Sequence, residues 1–238
     1  MATKRIIVRN TRLEDIPAAI KVEQAAWAPP WPQDCVFTAE HLRSQIEMFP
    51  QGQISAFVWE EERGEYVLAG FVTTMLMDYD LKGRPAISWD KITAGGFITN
   101  HNPLGNTIFA ANLSVSPDYP RSGVSDALMY SVIKLCLELP RQKLMFGSRM
   151  PSYCKYADSM SAEEYMWTRR KSGKPLDPEI RMYESAGGQI VALVPNYIPD
   201  PESLDYGVLM VFHNPLKWFW RVPLLGKAVS PLVGSVLK

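Results

Sequence analysis

Chemistry-bearing residues concentrate between Asn112 and Met129, which read N-L-S-V-S-P-D-Y-P-R-S-G-V-S-D-A-L-M. An apolar run, Thr107 to Val115, enters a turn holding Pro120, Arg121, Ser122 and Gly123, and apolar residues at helical spacing follow from about Ser122. A strand that feeds a glycine-bearing loop at a helix N-terminus is an anion-binding arrangement. The first helical amides have no intrahelical acceptor, so they point at whatever sits there. The helix dipole adds roughly 0.3–1 kcal/mol in favour of a negative group. Arg121 supplies charge, whereas Pro120 has no amide to donate. A single-glycine loop is a weak signal, so on these residues a phosphate cradle and a strand-turn-helix that binds nothing stand level.

The remaining reactive types are sparse. Cys35, Cys136 and Cys154 are an odd, widely spaced set, which suits a reducing cytoplasm and argues against a disulfide framework. His101 has no helical partner at metal-ligand spacing, so it reads as structural, and no metal is expected.

The elements that must position this turn follow from periodicity. Arg5 to Arg9 is a first strand. Thr11-x-x-Glu14 has the form of a capping box and predicts a helix over 12–27, with Ile16, Ile20 and Trp27 on one face. Pro29, Pro30 and Pro32 end it. The segment W-A-P-P-W-P-Q is either a rigid aromatic-pinned connection or a wall of a pocket. Thr38 caps a second helix with Leu42, Ile46 and Phe49 inward. Ile54 to Trp59 and Tyr66 to Tyr79 form a hairpin across a polar turn containing Gly64. Residues 80–105 lack a period, and a loop this long is often functional.

Thr107 to Val115 is then a central strand, Ser122 to Leu139 a helix, and Lys143 to Ser148 a strand, a parallel βαβ unit. Residues 149–176 form an insertion with a helix over 162–171 capped by Ser161 and Glu164. Its aromatics (Tyr153, Tyr156, Tyr165, Trp167) shape a site or cover core. Asp177 and Pro178 open a last helix that ends at Gly187-Gly188. Strands Gln189 to Pro195 and Tyr206 to His213 close the domain.

Length and composition set broad limits. The 238 residues are 47% hydrophobic and 21% charged with zero formal net charge, an ordinary globular composition that gives no support for a nucleic-acid partner. The start lacks the apolar core of a signal peptide, and no run is long enough to span a bilayer, which predicts a cytoplasmic protein.

Val115-x-Pro117 followed by Gly123-Val-x-x-Ala127-Leu128-Met129 resembles the acyl-CoA-binding motif of the GNAT superfamily of N-acyltransferases. Tyr183-Glu-Ser-Ala-Gly187 resembles a second segment of that family, and the order β-α-α-β-β-β-α-β-α-β-β is the family's order. W-D-K-I-T-A-G-G-F-I-T-N-H-N-P, S-R-M-P-S-Y-C-K-Y-A-D-S-M-S-A-E-E-Y and P-N-Y-I-P-D-P-E-S-L-D-Y-G narrow the likeness to a GNAT branch often fused to a nitrilase-like carbon–nitrogen hydrolase, which is not expected in this chain. The likeness covers about residues 5–214.

The resemblance implies an α/β (α+β) fold: a mixed, mostly antiparallel central sheet with a parallel strand pair around the CoA site, flanked by helices. It implies acetyl-CoA or another acyl-CoA as co-substrate. Leu113, Ser114 and Val115 would run along the pantetheine arm. Arg121, Ser122, Gly123, Val124, Ser125 and Asp126 would cradle the phosphates. Tyr183 would be the acid that protonates the departing thiolate, or would only pack against CoA. A strand amide around Val115 would polarise the carbonyl. The family usually has Gln or Arg at the place of Pro120 and Gly or Ala at that of Ser125.

The expected reaction is transfer of an acyl group to a small-molecule or peptide amine by direct attack in a ternary complex. The central strand carries no carboxylate, so the base is open among Asp78, Asp80, Asp90 and Glu60, each otherwise a surface charge. A non-catalytic CoA-binding or degenerate GNAT module, acting through its tail on a partner or membrane, is the competing reading. That tail, residues 215–238, is apolar and basic with Trp218, Phe219 and Trp220. Packing or a homodimer contact is expected of it ahead of a peripheral membrane contact.

Overall fold

The structure, a computed structural model, describes residues 5–29, 31–80, 87–139 and 143–217. Its strands are β1 (Ile6–Asn10), β2 (Gln53–Glu60), β3 (Glu65–Met77), β4 (Thr107–Val115), β5 (Lys143–Arg149), β6 (Gln189–Val194) and β7 (Gly207–His213). Its helices are α1 (Ile16–Ala26), α2 (Ala39–Met48), α3 (Trp89–Thr93), α4 (Val124–Glu138), α5 (Ala162–Trp167) and α6 (Pro178–Ser185). The strands form one seven-stranded sheet in the order β1-β2-β3-β4-β5-β7-β6. Every pairing is antiparallel except β4 with β5. The mixed, mostly antiparallel sheet expected from the sequence is therefore the sheet observed.

Helices cover both faces. Ile16, Ala19 and Val22 of α1 and Leu42 of α2 join Phe57, Leu68 and Phe71 of the hairpin in one apolar cluster. A larger cluster on the other face holds Val124, Leu128 and Val132 of α4 with Val72, Ile108, Leu144 and Phe146. Burial of these side chains, each worth about 1.5–3 kcal/mol, is the dominant favourable term.

Several local expectations needed adjustment. The first capping interaction uses Asp15, whose Oδ2 accepts from the Arg12 amide at 2.7 Å, and not Glu14; the Thr11 hydroxyl is bonded to Ser55 Oγ at 2.8 Å. A 3-10 turn, Leu13–Asp15, precedes α1 for this reason. Helix α4 begins at Val124, because Gly123 holds a left-handed φ of 87°. Helix α5 stops at Trp167, and its basic end turns back as a short hairpin in which Arg170 donates to the Lys174 carbonyl at 2.8 Å. The caps read for α2, α5 and α6 are in place, with Thr38 Oγ1 accepting from the His41 amide at 3.5 Å. Ser161 and Glu164 close a reciprocal box, and Asp177 Oδ1 accepts from the amides of Glu179 (2.9 Å) and Ile180 (3.2 Å). Residues 81–86 of the long loop, and Trp218, Phe219 and Trp220 of the tail, lie outside the described residues. No helix among the described residues is long and apolar enough to cross a membrane.

Candidate active site

Strands β4 and β5 are paired from Thr107–Lys143 to Ala110–Phe146 and no further. Beyond that point β4 keeps only β3, and Gly147 to Arg149 of β5 keep only β7. A one-residue bulge helps to part them: Thr73 faces Asn112 and Thr74 faces Ala110, so Ala111 has no partner across β3. Trp89 Nε1 donates to the bulged Ala111 carbonyl at 2.7 Å. The gap is a cavity of about 250 Å³ lined from both sides of the sheet.

One part of its wall comes from Leu113 and Val115 of β4, Met129 and Val132 of α4, and Met182 and Tyr183 of α6. Side chains alternate along a strand, so Asn112 and Ser114 face the opposite way, toward α1. There Glu23 Oε2 accepts from Ser114 Oγ (2.5 Å) and Asn112 Nδ2 (3.0 Å), and Glu23 Oε1 from the Phe37 amide (3.3 Å). Trp27 Nε1 in turn donates to Ser114 Oγ at 2.7 Å. Burial pushes the Glu23 carboxyl up against these donors. Its donors come from β4 and from the segment before α2, so Glu23 ties α1 to both.

Helix α6 delivers two ionisable groups to the cavity. Tyr165 of the insertion donates to Asp177 Oδ2 at 3.0 Å, and Asp177 caps the helix, so the insertion sets where α6 begins. Glu179 and Tyr183 then stand one turn apart on the same face, and both line the cavity. Burial raises the Glu179 carboxyl to about 7, against the pull of Arg149. Tyr183 packs its ring on Phe146 (4.8 Å between centroids), and burial holds its phenol well above the ordinary range.

Arg149, the last residue of β5, organises the other end. Its Nε and one terminal nitrogen pair with Asp200 at 2.8 and 2.9 Å, and Glu202 and Glu179 lie at 2.9 and 3.5 Å. Burial opposes this charge, but Asp200 and the neighbouring carboxylates outweigh it and raise the guanidinium above its ordinary value. The guanidinium lies over the rings of Trp31 (4.6 Å) and Trp27 (5.3 Å). The W-A-P-P-W-P-Q segment thus lends two indoles to the cavity wall. Tyr197, from the loop between β6 and β7, completes it, lying against Gly147 so closely that a Cβ there would sit 1.6 Å from Tyr197 Oη.

The structure brings only some of the expected residues together. Leu113, Val115 and Tyr183 line the cavity. The Ser114 side chain is committed to Glu23 and Trp27 and faces away from the gap. Arg121, Ser122, Gly123, Val124, Ser125 and Asp126 are outside the cavity lining and form the turn into α4, where Gly123 has no side chain to cap the helix and the Val124 amide reaches Ser122 Oγ at 3.4 Å. Arg121 and Gly123 both have positive φ, 53° and 87°. Asp126 is exposed in the first turn, where its own charge competes with an anion. The strand amide expected around Val115 is displaced from the bulge, which falls at Ala111.

Asp78, Asp90, Asp80 and Glu60 are all absent from the cavity lining. Asp78 binds Asn102 and the Asn106 amide, and Glu60 pairs with Tyr119 and Arg63. Sequence reasoning passed over Glu23, Glu179, Arg149 and Asp200. A carboxylate one turn before Tyr183 was the available signal for Glu179. Tyr153 and Tyr165 are buried in an aromatic cluster with Tyr206 and cover core; Trp167 is exposed. Among the described residues no group of three His, Cys, Asp or Glu is placed to hold a metal.

No protein-family model matches the chain. The uncharacterized N-acetyltransferase YkwB of Bacillus subtilis is 32% identical over 209 residues, 88% of this chain and 89% of that protein. The probable hydrolase YhcX of the same organism is 32% identical over 216 residues, 89% of this chain but 39% of that protein. Among solved structures, the loading GNATL domain of CurA from Lyngbya majuscula superposes with a TM-score of 0.73 at 21% identity, covering 88% of this chain and 98% of that one. The GphF GNAT-like decarboxylase in complex with isobutyryl-CoA gives a TM-score of 0.71 at 18% identity, covering 87% and 98%. The parted β4–β5 pair and the similarity to YkwB along most of both chains agree: the chain belongs to the GNAT superfamily of N-acetyltransferases.

Proposed function

We propose that the chain is an acyl-CoA-dependent N-acyltransferase that moves an acetyl or other acyl group to an amine by direct attack, with Glu179 as base and Tyr183 as acid. The observation that carries this is the placing of both groups on one face of α6, at a cavity that opens where β4 and β5 part. The residues fit the co-substrate: the edge of β4 at Leu113 to Val115 faces the gap, and the start of α4 at Gly123, an N-cap without a side chain, suits a phosphate.

The thioester supplies an electrophilic carbonyl. Glu179 takes the proton that the amine nitrogen must lose as its bond to that carbon forms. A carboxyl near 7 is half ionised at neutral pH, the condition under which a base is both present and strong enough. Tyr183 gives its proton to sulfur as the carbon–sulfur bond breaks. Its raised value keeps the phenol protonated until then. Cys35 also lines the cavity, but burial and Asp34 push its thiol up, so it is unsuited to be a nucleophile.

Calorimetric titration with acetyl-CoA and with CoA, followed by an amine-acceptor screen in the wild type and Tyr183→Phe, tests the reading. Micromolar binding and amine-dependent release of CoA are expected. A folded protein that binds neither compound would remove it.

The fold likeness to a GNAT-like decarboxylase prompts a second reading, loss of carbon dioxide from a carboxylated acyl thioester with a proton taking its place. Arg149 in the cavity is the observation in its favour. Asp200, Glu202 and Glu179 already face that cation, which ranks the reading second. Conversion of malonyl-CoA to acetyl-CoA without any amine would favour it.

A further inference from the structure

We infer that the acceptor is a small primary amine on an aromatic or similarly flat apolar body, with a single ammonium and no carboxylate beside it; this rests on the N-acyltransferase reading. Apart from the wall shared with β4, α4 and α6, the cavity lining includes Trp27, Trp31, Phe37, Trp89, Tyr197 and Ile198. The indoles of Trp27 and Trp31 are 4.7 Å apart, and Phe37 and Trp89 are 5.9 Å apart, so the surface offered is ring faces and edges. Such a surface binds an aromatic body by area and quadrupole. It offers few partners to a sugar or a peptide backbone, whose polar groups would be desolvated without compensation.

Charge narrows the choice. The charged residues of the lining are Glu23, Arg149 and Glu179. Glu23 is committed to Ser114, Asn112 and the Phe37 amide. Glu179 accepts from the Arg149 amide at 3.2 Å and faces its guanidinium at 3.5 Å, looser contacts than those of Glu23, so among the described residues it is the lining carboxylate placed to meet an ammonium, and a second ammonium, as in a polyamine, has no counterpart there. Among the described residues Arg149 is the only lining cation, and Asp200, Glu202 and Glu179 surround it, so an acceptor carboxylate would meet more repulsion than attraction. The cavity of about 250 Å³ must also admit the acyl end of the donor, which keeps the acceptor small.

The test compares 2-phenylethylamine, L-phenylalanine, spermidine and an alanine-led peptide at saturating acetyl-CoA, reading both CoA thiol and acylated product. L-Phenylalanine differs from 2-phenylethylamine only by the carboxylate. We expect kcat/KM for 2-phenylethylamine to exceed that of each other amine by at least about tenfold. Trp31→Ala should raise its KM several-fold with kcat little changed, and Glu202→Gln should narrow the penalty on L-phenylalanine. Equal or better use of L-phenylalanine, spermidine or the peptide would overturn the inference and leave the N-acyltransferase standing. No product from any of the four, by protein that binds acetyl-CoA, would overturn both.

Discussion

Glu179 precedes Tyr183 by one turn of α6, and the two side chains share a face that lines the gap between β4 and β5. A base and an acid on one short helix move together, so whatever places the start of α6 places both. Asp177 caps that start and is itself held by Tyr165, which ties the geometry of the site to the insertion between β5 and α6.

Glu179 should set the pH dependence. Its carboxyl is raised to about 7, so kcat/KM is expected to climb as pH rises through 7 and then level. Glu179→Gln should flatten the profile and lower kcat/KM by about 10²–10⁴. The folded state holds this proton more tightly than the unfolded one. Glu179 therefore costs stability as pH rises from the ordinary carboxylate range through 7. Melting temperatures at pH 8 should show the glutamine variant as stable as the wild type or more so.

Tyr183→Phe keeps the ring against Phe146 and removes only the phenol. Turnover should fall by about 10²-fold or more, while the calorimetric affinity for acetyl-CoA stays within a few-fold. A matched loss of affinity and turnover would make Tyr183 a packing residue.

At Gly147 a Cβ would lie 1.6 Å from Tyr197 Oη and 2.2 Å from its Cζ. Gly147→Ala must displace Tyr197 from the cavity wall. Overpacking of this kind costs about 1–3 kcal/mol, or roughly 2–4 °C of melting temperature per kcal/mol at this size. Acceptor KM should rise in the same variant.

Gly123 adopts φ of 87° at the head of α4, and a Cβ there has room, with Ile6 Cδ1 3.7 Å away. Strain and not collision is then the cost of Gly123→Val, about 1–3 kcal/mol. If the α4 amides receive the phosphates, the affinity for CoA should drop at least about tenfold, with a smaller effect on a truncated thioester that lacks them.

Glu23→Ala should leave the buried Ser114 hydroxyl and the Phe37 amide short of an acceptor. The cost of buried groups so abandoned is about 1–3 kcal/mol each. Loss of this anchor should also loosen Trp27, readable as a shift in tryptophan fluorescence together with a lower melting temperature.

The strands and the longer helices, in their order, were legible in the sequence, whereas the short helix α3 inside residues 80–105 was not. Runs such as Thr107 to Val115 and helical spacings such as Val124, Leu128 and Val132 are local consequences of which faces must be buried, and they survive in the structure, with ends moved by up to four residues at α1 and α5. Caps were legible for the same reason: Ser161 with Glu164, and Asp177 with Pro178, act within one turn of chain. Tyr183 and the strand residues Leu113 and Val115 could be singled out because they sit in short contiguous motifs. Tertiary structure alone decided which carboxylates matter. Asp78 and Glu60 looked available in the chain, yet each is spent on a neighbour far along it, while Glu179 acquires its raised value only because the folded chain buries it, against the opposing pull of Arg149 at the end of β5. The environment that shifts a carboxyl or turns two indoles into a wall is assembled from segments more than a hundred residues apart, as with Trp31 and Arg149, and no local pattern records it.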